Sequence, residues 1–167
     1  MKLQFIPVET KEQICLLASL ADKVWHEFFP GIITVEQVDY MVERFQSEKA
    51  LTKQITKEGY DYFLLELNSI SIGYVGIHIE EDTKKLFLSK LYLLKSYRGK
   101  GYASQTFEFL KGIATAYQLK VIYLTVNRGN GHSVDVYKNW GFVTVKEEAA
   151  DIGNGFVMDD YIMEYAL

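Results

Sequence analysis

The chain has 167 residues, 49% apolar, 14% aromatic and 24% charged, with a net charge of −4. That length supports one domain with a substantial core rather than two, and the apolar fraction argues against disorder. One cysteine excludes an intrachain disulfide framework, three His and one Cys give no metal-ligand spacing, and the acidic balance disfavours a nucleic-acid partner.

Residues 2–8 alternate and predict a first strand. Charges run through this N-terminal segment without an apolar leader core, and no apolar run approaches a membrane span. A soluble, cytoplasmic protein is expected. Residues 11–28 carry apolar side chains at helical spacing, with Thr10 as cap and Phe29-Pro30-Gly31 as breaker. Cys15 is placed on the apolar face of this helix, where a buried, inert thiol is expected. A second helix, from Thr34 or Val35 to Gln46, puts Val38, Met41, Val42 and Phe45 on one face. Residues 61–67 and 72–79 predict a hairpin about Asn68-Ser69, and 85–94 the next strand. A helix from Gly101 to Tyr117 sets Phe107, Leu110, Ala114 and Tyr117 on one stripe, expected to be core. A strand at 121–126, a short helix at 131–139 and strands near 142–147 and 155–165 complete the chain. Strands first and a βαβ crossover afterwards predict an α/β (α+β) mixed sheet with helices on both faces.

The most informative stretch is Tyr97-Arg98-Gly99-Lys100-Gly101-Tyr102-Ala103, between a strand and a helix. The first amides of a helix lack partners and its dipole is positive there. Glycines let the main chain approach a phosphate closely. Gly99 to Ser104 lacks the spacing of a Walker A loop, and Ser104 stands where a dinucleotide fingerprint needs its last glycine. A phosphate-bearing ligand held mostly by main chain is expected. Downstream, Asn130, Ser133 and Tyr137 are spaced i, i+3, i+7 and share one face of a helix that Gly141 ends. That face is polar where a core-facing helix would be apolar, so it is expected to look at a ligand or water.

Leu91-Tyr92-Leu93 followed by Arg98-x-x-Gly101-x-Ala103 resembles motif A of the GCN5-related N-acetyltransferases, the GNAT family. Leu124-x-Val126, Asn130, Ser133, Tyr137 and Gly141-Phe142 resemble its motif B, with Ser133 where Ala is more usual. The resemblance covers about residues 87–142. A weaker one, to bacterial spermine/spermidine-type acetyltransferases, rests on the Met158-to-Met163 ending and the Trp25-bearing first helix.

The resemblance implies a single N-acetyltransferase domain over 1–167, with a mostly antiparallel mixed sheet of about seven strands. It implies transfer of an acetyl group from acetyl-CoA to a primary amine, with no metal. Gly99, Lys100, Gly101, Tyr102, Ala103 and Ser104 would hold the pyrophosphate, with Arg98 and Lys100 adding positive charge. Leu91, Tyr92 and Leu93 would bond the pantetheine through main chain, Asn130 would bond its amide, and the sheet would splay between this strand and the next. An amide of the 91–93 segment would stabilise the oxyanion. Tyr137 would be the general acid that protonates the leaving thiolate.

The general base does not carry over. Some relatives place a Glu where this chain has Phe87; His78, Glu80 and Glu81 are substitutes acting through water. Trp25 to Ile33 would form part of the acceptor wall. From Glu147 to the end the chain has six acids and no Lys or Arg, a field suited to a cationic amine such as a polyamine. A protein or peptide amine is the alternative acceptor, and a non-catalytic acyl-CoA sensor or interaction module the alternative class. The apolar last strand is compatible with a homodimer.

Overall fold

The computed structural model describes residues 2–167. Seven strands form one sheet in the order β1-β2-β3-β4-β5-β7-β6. In sequence these are β1 (Gln4–Pro7), β2 (Tyr60–Leu67), β3 (Ile70–Glu80), β4 (Lys85–Leu93), β5 (Val121–Asn127), β6 (Val143–Gly153) and β7 (Phe156–Ala166). The helices are α1 (Lys11–Phe28), α2 (Val35–Phe45), α3 (Glu48–Lys57), α4 (Tyr102–Ala116) and α5 (Gly131–Trp140). β4 and β5 pair in parallel, and β1–β2, β2–β3, β5–β7 and β6–β7 pair antiparallel. The chain sorts into two compact units: residues up to His78 with Ser89–Leu110, and Ile79–Leu88 with Lys111–Leu167.

In the first unit, α1 starts at a capping box in which the Thr10 hydroxyl accepts from the Gln13 amide and Gln13 bonds back to Thr10. Ile14, Leu17, Leu20, Ala21, Val24 and Trp25 form its buried stripe. Cys15 falls outside that stripe, beside the exposed Leu16, and is exposed, contrary to the expectation of burial. Its neighbour Glu48 holds the thiol above its ordinary range, which keeps it a poor nucleophile. Asn68 and Ser69 both take positive φ, 49° and 65°, as a two-residue hairpin turn requires.

α3 occupies a stretch for which the sequence predicts no element. Only Leu51 of this helix is buried, so it lacks an apolar stripe to read. It is held by the Ser47 cap and by polar contacts across the core. Trp25 Nε1 donates to the Tyr74 hydroxyl at 2.7 Å, Tyr74 donates to Gln46 Oε1 at 2.7 Å, and Tyr62 donates to Gln54 Oε1 at 2.6 Å. This chain of buried polar groups fixes the orientation of Trp25.

His26 joins α1 to α2. Its Nε2 lies 2.6 Å from Asp39 Oδ1 and its Nδ1 2.7 Å from the Asp22 carbonyl, so both nitrogens face acceptors. The hydrogen bond to Asp39, then that to the Asp22 backbone, raises its pKa. A raised folded value means that the contribution to stability is full below the unfolded value of about 6.5 and is lost as pH rises through the folded value. Urea midpoints should therefore fall over that window in the wild type, and His26→Asn should remove this component of the slope.

In the second unit, β5 pairs with β4 from Lys85↔Val121 to Leu88↔Leu124 and with β7 along its whole length. α5 is capped by Asn130, whose side-chain oxygen accepts from the Ser133 amide at 3.2 Å. It ends at Gly141, φ 108°, with the Phe142 amide returning to the Tyr137 carbonyl at 2.9 Å. β6 runs to Gly153, well beyond the segment expected near 142–147. Its residues Glu147 to Asp151 have no apolar alternation, and pairing with β7 holds them extended. Tyr117, expected in the core stripe of α4, is 49% exposed. The helix ends at Ala116, and Gln118 at φ 56° turns the chain away.

Candidate functional site

The phosphate-loop candidates lie in the first unit. β4 ends at Leu93, a 3-10 turn spans Lys95–Tyr97, and α4 begins at Tyr102. Gly99 and Gly101 have φ of 74° and 87°, a conformation that strains any L side chain. A β-carbon on either would meet nothing within 4 Å, so the space above the loop is open. The first turn of α4 has no acidic residue, and the Gln105 amide is the first to bond back, to the Gly101 carbonyl at 3.1 Å. The amides of Tyr102, Ala103 and Ser104 precede that ladder. Positive-φ glycines, open space and helix-end amides fit a pyrophosphate held by main chain.

Arg98, expected to add positive charge near the phosphates, also touches the end of β4 and α1. Its Nε donates to the Leu93 carbonyl at 3.0 Å and its guanidinium lies 5.0 Å from the centre of the Phe28 ring. Its Nη2 is buried without a hydrogen-bond partner among the described residues. Lys100 is exposed, with its ammonium 5.9 Å from the Tyr97 ring.

Leu91 and Tyr92 are half-buried and Leu93 is buried. Gly73 on β3 leaves room for this segment, since a β-carbon there would overlap the Tyr92 carbonyl oxygen. The Tyr92 ring packs against Phe28, Trp25, Phe29 and Tyr74, with centroids 5.4 to 5.8 Å apart. Trp25 and Phe29 are buried and Phe28 half-buried, so only Phe28 of the three combines core packing with partial exposure.

The motif B candidates lie in the second unit. Asn130 is buried; its carbonyl serves the α5 cap, which leaves its amide hydrogens as the donors suited to a ligand carbonyl. Ser133 and Tyr137 are half-buried on the same helix. Tyr137 packs edge-on to Trp140 at 5.5 Å and Phe142 at 5.7 Å, and its hydroxyl has no hydrogen-bond partner among the described residues. Burial among these groups pushes its pKa up to about 12.

The acids of the last two strands are partly committed. Arg128 holds Glu147 at 3.1 Å and Asp159 at 3.3 Å, and Lys85 holds Glu164 at 3.3 Å. Glu148 and Asp160 stand directly opposite in the β6–β7 ladder. Of the base candidates, Glu80 accepts from the Tyr123 hydroxyl, His78 packs on the Tyr60 ring at 4.9 Å, and Glu81 is exposed. Phe87 stacks on Tyr123 at 4.9 Å. Among the described residues no group of three or more His, Cys, Asp or Glu could hold a metal ion, and no helix is long and apolar enough to cross a membrane.

Sequence reasoning missed Glu27, which accepts from the Lys95 amide at 3.1 Å, and the Tyr123–Glu80 bond. Both join residues far apart in the chain, and no local periodicity signals them.

The chain resembles known proteins along most of its length. Residues 20–142 match the model of the acetyltransferase (GNAT) family. An uncharacterized N-acetyltransferase in the pepI 3' region of Lactobacillus delbrueckii subsp. lactis is 22% identical over 138 residues, 79% of each chain. A probable spermine N(1)-acetyltransferase of Bacillus subtilis subsp. natto is 32% identical over 66 residues, 38% of this chain and 43% of that protein. The PaiA N-acetyltransferase of Thermoplasma acidophilum, in complex with coenzyme A, superposes with a TM-score of 0.79 at 21% identity over the whole of both chains. A chimera of the Vibrio cholerae spermidine N-acetyltransferase SpeG superposes with a TM-score of 0.73 at 20% identity, over 99% of this chain and 96% of that one. At that identity the structural likeness establishes the fold, a mixed sheet flanked by helices. With the family model covering more than two thirds of its length, this chain belongs to the GNAT family of acetyltransferases, enzymes that take their acetyl group from acetyl-CoA.

Proposed function

We propose that this protein acetylates a small cationic amine of the polyamine class by direct attack on acetyl-CoA, with Tyr137 as general acid. The observation that carries the acetyl-CoA half is the Gly99–Gly101 loop, with positive φ, open space above it and the α4 amides behind it. The amine half is supported by the acids of β6 and β7, by the partial likeness to a probable spermine acetyltransferase, and by the fold shared with a spermidine acetyltransferase.

Acetyl-CoA supplies an activated thioester carbonyl. In this reading the loop amides hold the pyrophosphate with Arg98 and Lys100 adding positive charge, the Leu91–Leu93 main chain and Asn130 hold the pantetheine, and a 91–93 amide receives the developing oxyanion. The amine nitrogen bonds to the carbonyl carbon, the carbon–sulfur bond breaks, and Tyr137 donates to the leaving sulfur. The nitrogen gives up its proton through water to solvent, and solvent returns a proton to Tyr137 to close the cycle. The main gain is proximity of amine and thioester. The residues from 1 to 167 act as one domain, and a pair of chains through the last strands is part of the same reading.

A thiol-release assay with acetyl-CoA against spermidine, spermine, lysine, short peptides and an aminoglycoside tests this. Turnover confined to the polyamines is expected. Turnover on peptides alone would replace the acceptor class. Coenzyme A binding without turnover on any amine would favour a sensor.

A further inference from the structure

We propose that Glu27, Phe28 and Arg98 are positioning residues that couple the phosphate loop to the aromatic wall at the end of α1, so that coenzyme A and the amine bind cooperatively. The proposal rests on the function given above and adds a linkage between its two ligands. All of its residues belong to the first unit.

The loop is fastened to the last turn of α1 at two points. The Lys95 amide donates to Glu27 Oε1 at 3.1 Å, and the Arg98 guanidinium lies over the Phe28 ring at 5.0 Å. Arg98 also holds the end of β4 through its bond to the Leu93 carbonyl. From Phe28 the contact continues edge-on to Tyr92 at 5.4 Å, and from Tyr92 to Trp25 at 5.5 Å. Trp25 in turn is anchored by Tyr74. A change at the loop therefore reaches the wall through adjoining side chains.

Arg98 gives the linkage a direction. Its buried, unpartnered Nη2 is a desolvated donor with an unmet hydrogen bond. In the proposal, an anion bound at the loop offers that donor an acceptor and holds the guanidinium in place over the Phe28 ring. The Phe28 ring is clamped with it, and through Tyr92 the wall is set before the amine arrives. Linkage is reciprocal, so the amine must tighten coenzyme A by the same factor.

The test uses the full chain carrying Trp140→Phe, which leaves Trp25 as the sole tryptophan. Coenzyme A is titrated with and without spermidine while Trp25 emission and binding heat are followed. Coenzyme A is expected to change Trp25 emission, and each ligand to tighten the other about fivefold or more. In Glu27→Ala/Phe28→Leu, coenzyme A should still bind while the emission change disappears and the coupling factor falls to near one. Glu27→Gln/Phe28→Leu, a milder change at the same two positions, replaces that pair if it fails to fold. An unchanged emission response in the variants, or no emission response in the parent, overturns the linkage. Failure of coenzyme A to bind the parent overturns the proposed function itself, and the linkage with it.

Discussion

Replacing Tyr137 by Phe is expected to lower kcat about 10²-fold and to leave KM for acetyl-CoA nearly unchanged. The substitution removes one hydroxyl and keeps the ring that packs on Trp140 and Phe142. It leaves no buried partner stranded, because the hydroxyl has none among the described residues, so the fold should be unaffected. The size of the effect follows from the acidity of the group. Burial holds Tyr137 at about 12. A thiol titrates at about 8.5, so full proton transfer to the thiolate is uphill by about 5 kcal/mol. Tyr137 therefore acts chiefly by donating a hydrogen bond to charge developing on sulfur, and the lower end of the range for a general acid is expected. The same value fixes the pH behaviour. Tyr137 stays protonated across the neutral range, so the kcat profile should show no falling limb from it below about pH 11. Steady-state kinetics of the wild type and the variant against pH check both points. A variant with wild-type kcat would remove Tyr137 from the proposed mechanism.

Gly101→Asp is expected to raise KM for acetyl-CoA about 10²-fold or more, with a smaller change in kcat. Gly101 has φ of 87°, which strains any L side chain, although Asp tolerates left-handed backbone better than most residues. The new side chain enters open space above the loop, where the pyrophosphate is proposed to lie. A like charge at about 4 Å costs about 4 kcal/mol at an effective dielectric of 20, more than enough for a 10²-fold loss. Salt should reduce the penalty by screening. Gly101→Ala separates the contributions, since it adds strain and bulk without charge. Equal KM values for the Asp and Ala variants would show that no anion sits above this loop.

The parts of the molecule legible in the sequence are those fixed by local chemistry. Thr10 capping α1, Asn130 capping α5 and Gly141 ending it were all readable, because a cap depends on residues within one turn. So was the Asn68-Ser69 hairpin. The parts that were not legible depend on distant partners. α3 shows no stripe, and β6 is extended only because β7 lies beside it. Cys15 looked buried because apolar neighbours surround it in sequence, yet it sits one position beyond the stripe. At the candidate site, spacing alone singled out the glycine loop and the Asn130–Tyr137 face. The stacking of Arg98 on Phe28 was not readable, because it depends on a helix some seventy residues earlier in the chain. The acids of the last strands were visible as a run, and their pairing with Arg128 and Lys85 was not.

Acetyl transfer to a polyamine is tested most directly by its product. Purified protein is incubated with acetyl-CoA and spermidine, and the amine is analysed by mass spectrometry. Spermidine carrying one acetyl group, formed in step with free coenzyme A and strongly reduced in Tyr137→Phe, is the expected result. Unmodified spermidine under conditions where coenzyme A binds would contradict the account.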